Sequence, residues 1–77
     1  MLIQVLGPGC KKCEQVKANA EEAVAKAGVD ATVEKIEDIL QITNFGVMMT
    51  PALVIDGNVK IVGKVPSTDE IVALITG

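Results

Sequence analysis

Between residues 11 and 27 the chain carries one apolar stripe, Cys13, Val16, Ala20, Val24 and Ala27, spaced by threes and fours and flanked on both sides by short β-prone runs. That spacing is the period of an α-helix with one face turned inward, and Gly28 supplies its stop. The flanking runs are "MLIQVL" at 1–6 and "ATVEKI" at 31–36, both of which read as strands, with Gln4 a polar interruption of the first. Strand, helix and strand in that order make a parallel pair joined by a right-handed crossover. The rest of the chain must pack around that unit.

After the second strand, Asp38 is placed as an N-cap with Gln41 three positions on. It opens a short helix that ends near Gly46 and turns Ile39, Ile42 and Phe45 inward. "VMMTP" then leads into "ALVIDGNVKIV", two β-prone runs joined through Asp56-Gly57. That pairing suits a two-residue type I′ turn, where both central residues need positive φ. The last segment opens with Pro66 and Ser67, and Ser67 with Glu70 forms a capping box ahead of Ile71, Val72, Leu74 and Ile75. The order strand, helix, strand, helix, strand, strand, helix predicts an α/β fold. Its four-stranded mixed sheet carries helices on both faces. With 77 residues and no repeat, low-complexity segment or linker, residues 1–77 read as one domain.

Composition narrows the chemistry. Phe45 is the sole aromatic residue, and Trp, Tyr, His and Arg are absent, which excludes imidazole catalysis, guanidinium clamps and aromatic base-stacking. Ten acids against seven lysines give a formal charge of -3 with no basic face, so no nucleic-acid partner is expected. No stretch approaches the ~20 apolar residues of a membrane span, so no membrane partner is expected either. The start lacks a basic leader and its apolar run is too short for a signal core, which predicts a cytoplasmic protein. Thiols in that compartment are kept reduced, so a lone close pair of cysteines is redox-active or metal-binding more often than a structural staple.

Both cysteines fall within "GPGCKKC", residues 7–13, where the first strand turns into the long helix. Cys10 lies at the expected helix N-terminus, where unpaired backbone N–H groups and the helix dipole favour a thiolate, so it is the expected nucleophile. Cys13 lies one turn on, on the inward stripe, more shielded yet within reach of the Cys10 sulfur, and is placed to resolve. The expected chemistry is attack by Cys10 on a substrate disulfide, then displacement by Cys13, with no cofactor. Lys11 and Lys12 add positive charge that Glu14 partly opposes, which predicts a Cys10 pKa in the ~3.5–7.5 range of such sites. The two lysines also read equally as a solvated first turn. A disulfide closing so short a loop stabilises little. Two thiolates also supply half of a tetrahedral zinc site or a linear copper(I) site, so a soft-metal or metalloid carrier stays open as a second reading. The third is a redox-responsive binding module without turnover. Element order argues against the carrier, because small copper-handling domains follow their first helix with a strand hairpin, whereas a helix signal at 38–45 comes first here.

Gly9-Cys10-Lys11-Lys12-Cys13, then Gly46 through Gly57 ("GVMMTPALVIDG"), then Gly63-Lys64-Val65-Pro66-Ser67 resemble, at these spacings and over essentially the whole chain, a known family. It comprises the small thioredoxin-like, glutaredoxin-sized proteins of archaea and bacteria labelled redox-active disulfide protein 2. The resemblance implies the thioredoxin-like fold in its shortest form and a thiol–disulfide oxidoreductase acting on protein disulfides. Such a protein would be re-reduced by a thioredoxin-reductase-type flavoprotein or another dithiol donor, and nothing in the sequence demands more than a monomer. It also implies a cis Thr50-Pro51 peptide packed against the disulfide, with the Thr50 backbone pairing to an extended substrate segment. Met48, Met49 and Phe45 would line an apolar docking surface, the alternative for each being ordinary core or gap-filling. Gly63 would allow close backbone approach near the site, or merely end a strand. Unlike ordinary thioredoxins, the chain has Gly9 before the pair, Lys-Lys inside it and no acid in "MLIQVL". Unlike glutathione-using glutaredoxins, it has Met49-Thr50-Pro51 and a single Gly63, which lend little support to a glutathione pocket.

Overall fold

The computed structural model describes residues 1–8 and 11–76. In chain order the elements are β1 (Leu2–Leu6), α1 (Lys11–Ala27), β2 (Thr32–Ile36), α2 (Ile39–Asn44), β3 (Ala52–Ile55), β4 (Asn58–Val62) and α3 (Thr68–Thr76). The crossover expected from the long stripe is present: β1 and β2 run parallel, with Leu2 opposite Thr32 and Leu6 opposite Ile36. β3 joins the other side of β1 in antiparallel fashion, and β4 pairs with β3 at the edge, giving the order β2-β1-β3-β4. Among the described residues no helix is long and apolar enough to cross a membrane.

The sheet has two unequal cores, and their inequality positions the site. On one face α1 and α3 cover Ile3, Val5, Leu53 and Ile55 with Val16, Ala20, Ala23, Ile71 and Ile75. On the other, α2 and the segment after it cover Leu6, Ala52 and Val54 with Ile42 and Val47, while Phe45 packs half-buried at the margin. β3 is buried along its whole length because it lies between both cores. Within α1 the fully buried seam runs Cys13, Val16, Ala20, Ala23; Val24 and Ala27, expected on it, are only half-buried. Steps of three, four and three keep the seam on the sheet, and alanine at 23 suits a position of close approach.

α2 differs from expectation. It has six residues, and of its apolar side chains only Ile42 is buried; Ile39, expected inside, is 61% exposed and Leu40 is 74% exposed. A helix of under two turns presents one residue squarely to a sheet, and the rest of its apolar surface stays outside. Asp38 caps it as expected, its carboxylate accepting from Leu40 N at 2.9 Å. So short a helix also leaves one end of its sheet face uncovered, which accounts for Gln4. Gln4 shares a face with Leu6, is half-buried, and donates through Nε2 to Glu34 Oε1 at 3.0 Å from the residue opposite it on β2.

At the β3–β4 hairpin Asp56 and Gly57 both have positive φ, 50° and 84°, as the turn requires. Asp56 also ties down β1: its N–H donates to Leu2 O and its Oδ1 accepts from Leu2 N, each at 2.8 Å. Replacing Asp56 by Ala removes the carboxylate acceptor and puts a residue averse to this conformation in its place. We expect a loss of about 1–2 kcal/mol in urea unfolding, with Asp56→Asn retaining most of the stability. At the edge, Leu53 faces Ile61 and Val54 faces Val59, so β4 is bulged. A bulge in an edge strand hinders further pairing.

The start of α3 is a reciprocal capping box. Glu70 N donates to Ser67 Oγ at 3.1 Å and Ser67 N donates to Glu70 Oε1 at 3.2 Å. Lys64 Nζ donates to Glu70 Oε2 at 2.9 Å, and this bond, with the Ser67 N–H, holds the Glu70 carboxyl below the usual carboxylate range.

Candidate functional site

The site is assembled where β1 gives way to α1. Gly7, one residue past β1, is buried and donates its N–H to Ile36 O at 2.9 Å, extending the β1–β2 ladder by one step. Cys13, in the first turn of α1, is fully buried, and its sulfur lies against Gly7 so closely that a β-carbon on Gly7 would overlap it. Thr50 Cβ is 4.0 Å from that same point, so the Gly7 backbone, the Cys13 sulfur and Thr50 meet. Cys10 and Gly9, between Pro8 and Lys11 in the chain, lie outside the described residues. Lys11 and Lys12 are both exposed on the first turn of α1.

A second group forms around Pro51. The Thr50-Pro51 peptide is cis, Pro51 is buried, and Pro51 O accepts from Gly63 N at 2.9 Å, tying the end of β4 to this loop. Met49 folds over Gly63: a β-carbon there would come within 3.1 Å of Met49 Cε and 3.5 Å of its Sδ. Gly63 therefore both ends β4 and allows a close approach, and Met49 belongs with it.

Beside these groups opens a cleft of about 360 Å³, lined by Pro8, Ile39, Ile42, Thr43, Val47, Met48 and Thr50. Its walls are mostly apolar, and Met48, on its rim, is 96% exposed. Met48 thus lies at an apolar cleft, whereas Phe45 packs against the second core. Pro8, Ile39, Thr43 and Val47 are wall residues that sequence reasoning missed. The available signal was the pair Ile39-Leu40 directly after a cap, more apolar surface than a short helix buries. Gly7 was also missed, its only signal being its place between a strand and the cysteines. Among the described residues no cluster of three or more His, Cys, Asp or Glu is present to hold a metal ion.

The arrangement provides a shielded sulfur at a helix start, a cis-proline loop packed beside it and an apolar cleft alongside. The family described as "Thioredoxin domain" matches residues 1–76. The chain belongs to the thioredoxin family. Among its relatives there, the thioredoxin of Methanothermobacter thermautotrophicus is 42% identical over 76 residues, covering 99% of each chain. The thioredoxin of Methanocaldococcus jannaschii is 37% identical over 71 residues, covering 92% of this chain and 81% of its own. The small thioredoxin-like protein expected from the motifs is thus what the fold and the family both give, with the four-stranded mixed sheet of the thioredoxin family in its shortest form.

Proposed function

We propose that this thioredoxin-family chain is a thiol–disulfide oxidoreductase that reduces protein disulfides by dithiol exchange, with Cys10 as nucleophile and Cys13 as resolving thiol. The observation that carries this reading is the buried Cys13 sulfur in the first turn of α1, held against Gly7 beside Thr50. A thiol so placed is shielded from bulky disulfides but in reach of a partner three residues earlier in the chain. The Cys10 thiolate attacks one sulfur of the substrate disulfide, the S–S bond breaks, and the departing sulfur takes up a proton. Cys13, giving up its own proton, then attacks the Cys10 sulfur of the mixed disulfide. The second substrate thiol leaves, and two electrons have passed to the substrate at the expense of a Cys10–Cys13 disulfide. A thioredoxin-reductase-type flavoprotein or another dithiol donor restores the pair, and no cofactor resides in the chain.

In this reading the Thr50 backbone, ahead of Pro51, pairs with an extended substrate segment, and Met49 contacts it. Lys11, Lys12 and Gly63 tune the site, and the chain works as a cytoplasmic monomer of one domain. The test is Cys13→Ser. Incubated with a disulfide-bearing protein, this variant is expected to accumulate a mixed disulfide through Cys10 that dithiothreitol releases. If none forms while the wild-type protein turns over, Cys13 is not the resolving thiol. Anaerobic titration with zinc or copper(I) separates the carrier reading: tight stoichiometric binding that blocks disulfide reduction would favour it.

A further inference from the structure

We infer that Gly7 is a positioning residue for the second half of the exchange: the missing side chain at position 7 is what lets the Cys13 sulfur occupy the place from which it attacks. This rests on the assignment of Cys13 as the resolving thiol.

Gly7 is not required for its backbone conformation. The described glycines with positive φ are Gly28, Gly46, Gly57 and Gly63, and Gly7 is not among them. Nor is it a loose hinge, since its N–H is bonded to Ile36 O and the residue is buried. What position 7 cannot hold is volume. A β-carbon there would overlap Cys13 Sγ and stand 2.9 Å from Cys13 Cβ, well inside the ~3.5–4.0 Å at which carbon atoms rest in contact. Thr50 Cβ, at 4.0 Å, would be an ordinary neighbour.

The overlap therefore falls on one side chain, and that side chain has little freedom to yield. Cys13 is short, fully buried, and on the same seam of α1 as Val16 and Ala20, which are locked into the larger core. An alanine at position 7 must rotate the sulfur to another rotamer or push the first turn of α1 outward. Either change misaligns the attack of Cys13 on the mixed disulfide, where the attacking, central and leaving sulfurs must lie nearly in line. The first step, attack by Cys10 on an incoming disulfide, does not use Cys13. Gly7 thus separates the two steps.

The experiment follows reduced wild type and Gly7→Ala with one equivalent of an aromatic disulfide, dithiobis(nitrobenzoate), by stopped flow. Attack by Cys10 releases one nitrothiophenolate and leaves a mixed disulfide; attack by Cys13 releases the second and closes the Cys10–Cys13 bond. For Gly7→Ala we expect a first phase within about twofold of wild type and a second slowed at least about tenfold, since small misplacements of reacting groups carry penalties of this size. An unchanged second phase, or equal slowing of both phases, would overturn the role. Should Gly7→Ala fail to fold, the contact is read from stability instead: Gly7→Ala combined with Cys13→Gly, which removes both the sulfur and the β-carbon that the new methyl group would meet, is expected to regain the folded far-UV circular dichroism signal. No recovery would overturn the assignment. A wild-type protein that never releases the second equivalent would overturn dithiol exchange itself, an outcome distinct from any behaviour of Gly7→Ala.

Discussion

Cys10→Ser is expected to bring protein-disulfide reduction down to the protein-free blank, as followed by the turbidity of reduced insulin in the presence of dithiothreitol. A serine hydroxyl is not ionised near neutral pH and cannot displace a sulfur, so the substitution removes the proposed nucleophile while changing little else in volume. Cys13 cannot take over. It is fully buried against Gly7, and a protein disulfide has no approach to a sulfur in that position. Cys10 lies outside the described residues, but in the chain it immediately precedes Lys11, the first residue of the 17-residue α1. A helix start leaves backbone N–H groups unpaired and places the positive end of the dipole there, which favours a thiolate over a thiol in general and is what the proposed role of Cys10 calls for. Exposed Lys11 and Lys12 add positive charge in the same turn. Wild-type turnover by Cys10→Ser would show that another group initiates the exchange and would remove the basis of the proposed function.

Much of the fold was legible because each element carries its own local signal. The α1 stripe has helical period, Asp56-Gly57 joins its strands with the two positive φ values the turn needs, and Ser67 and Glu70 cap α3 reciprocally. What was not legible depends on how far each helix reaches across the sheet, which no local pattern encodes. Ile39 looks like core by spacing, yet α2 is too short to bury it, and it becomes a wall of the cleft instead. Gln4 looks like an error in an apolar run until α2 is seen to leave that end of the face open, with Glu34 beside it. At the site, the buried place of Cys13 followed from the stripe, and the Thr50-Pro51 loop from family resemblance. The contact of Gly7 with Cys13 joins residues six apart through two different elements, and only the fold brings it out.

Leu6→Ala should separate the second core from the first. Leu6 is fully buried as the last residue of β1, directly before Gly7, in a cluster completed by Ile42, Val47, Ala52 and Val54. Truncating a buried leucine costs about 2–5 kcal/mol. A chain of 77 residues has a total stability of only about 4–12 kcal/mol, so this is a large share of it. The melting temperature should fall by about 10 °C or more. Leu53→Ala removes the same side chain from the larger core under α1 and α3 and should cost about as much. The two should differ in function, because any collapse into the space left by Leu6 draws in Ile42 or Val47, and both are walls of the cleft. We therefore expect Leu6→Ala, assayed well below its melting point, to lose more activity towards a protein disulfide than towards a small aromatic disulfide. Leu53→Ala should lower both in proportion to the fraction unfolded. Equal losses on the two substrates for Leu6→Ala would mean that the cleft takes no part in holding protein substrates, and an unchanged melting temperature would mean that Leu6 does not support α2.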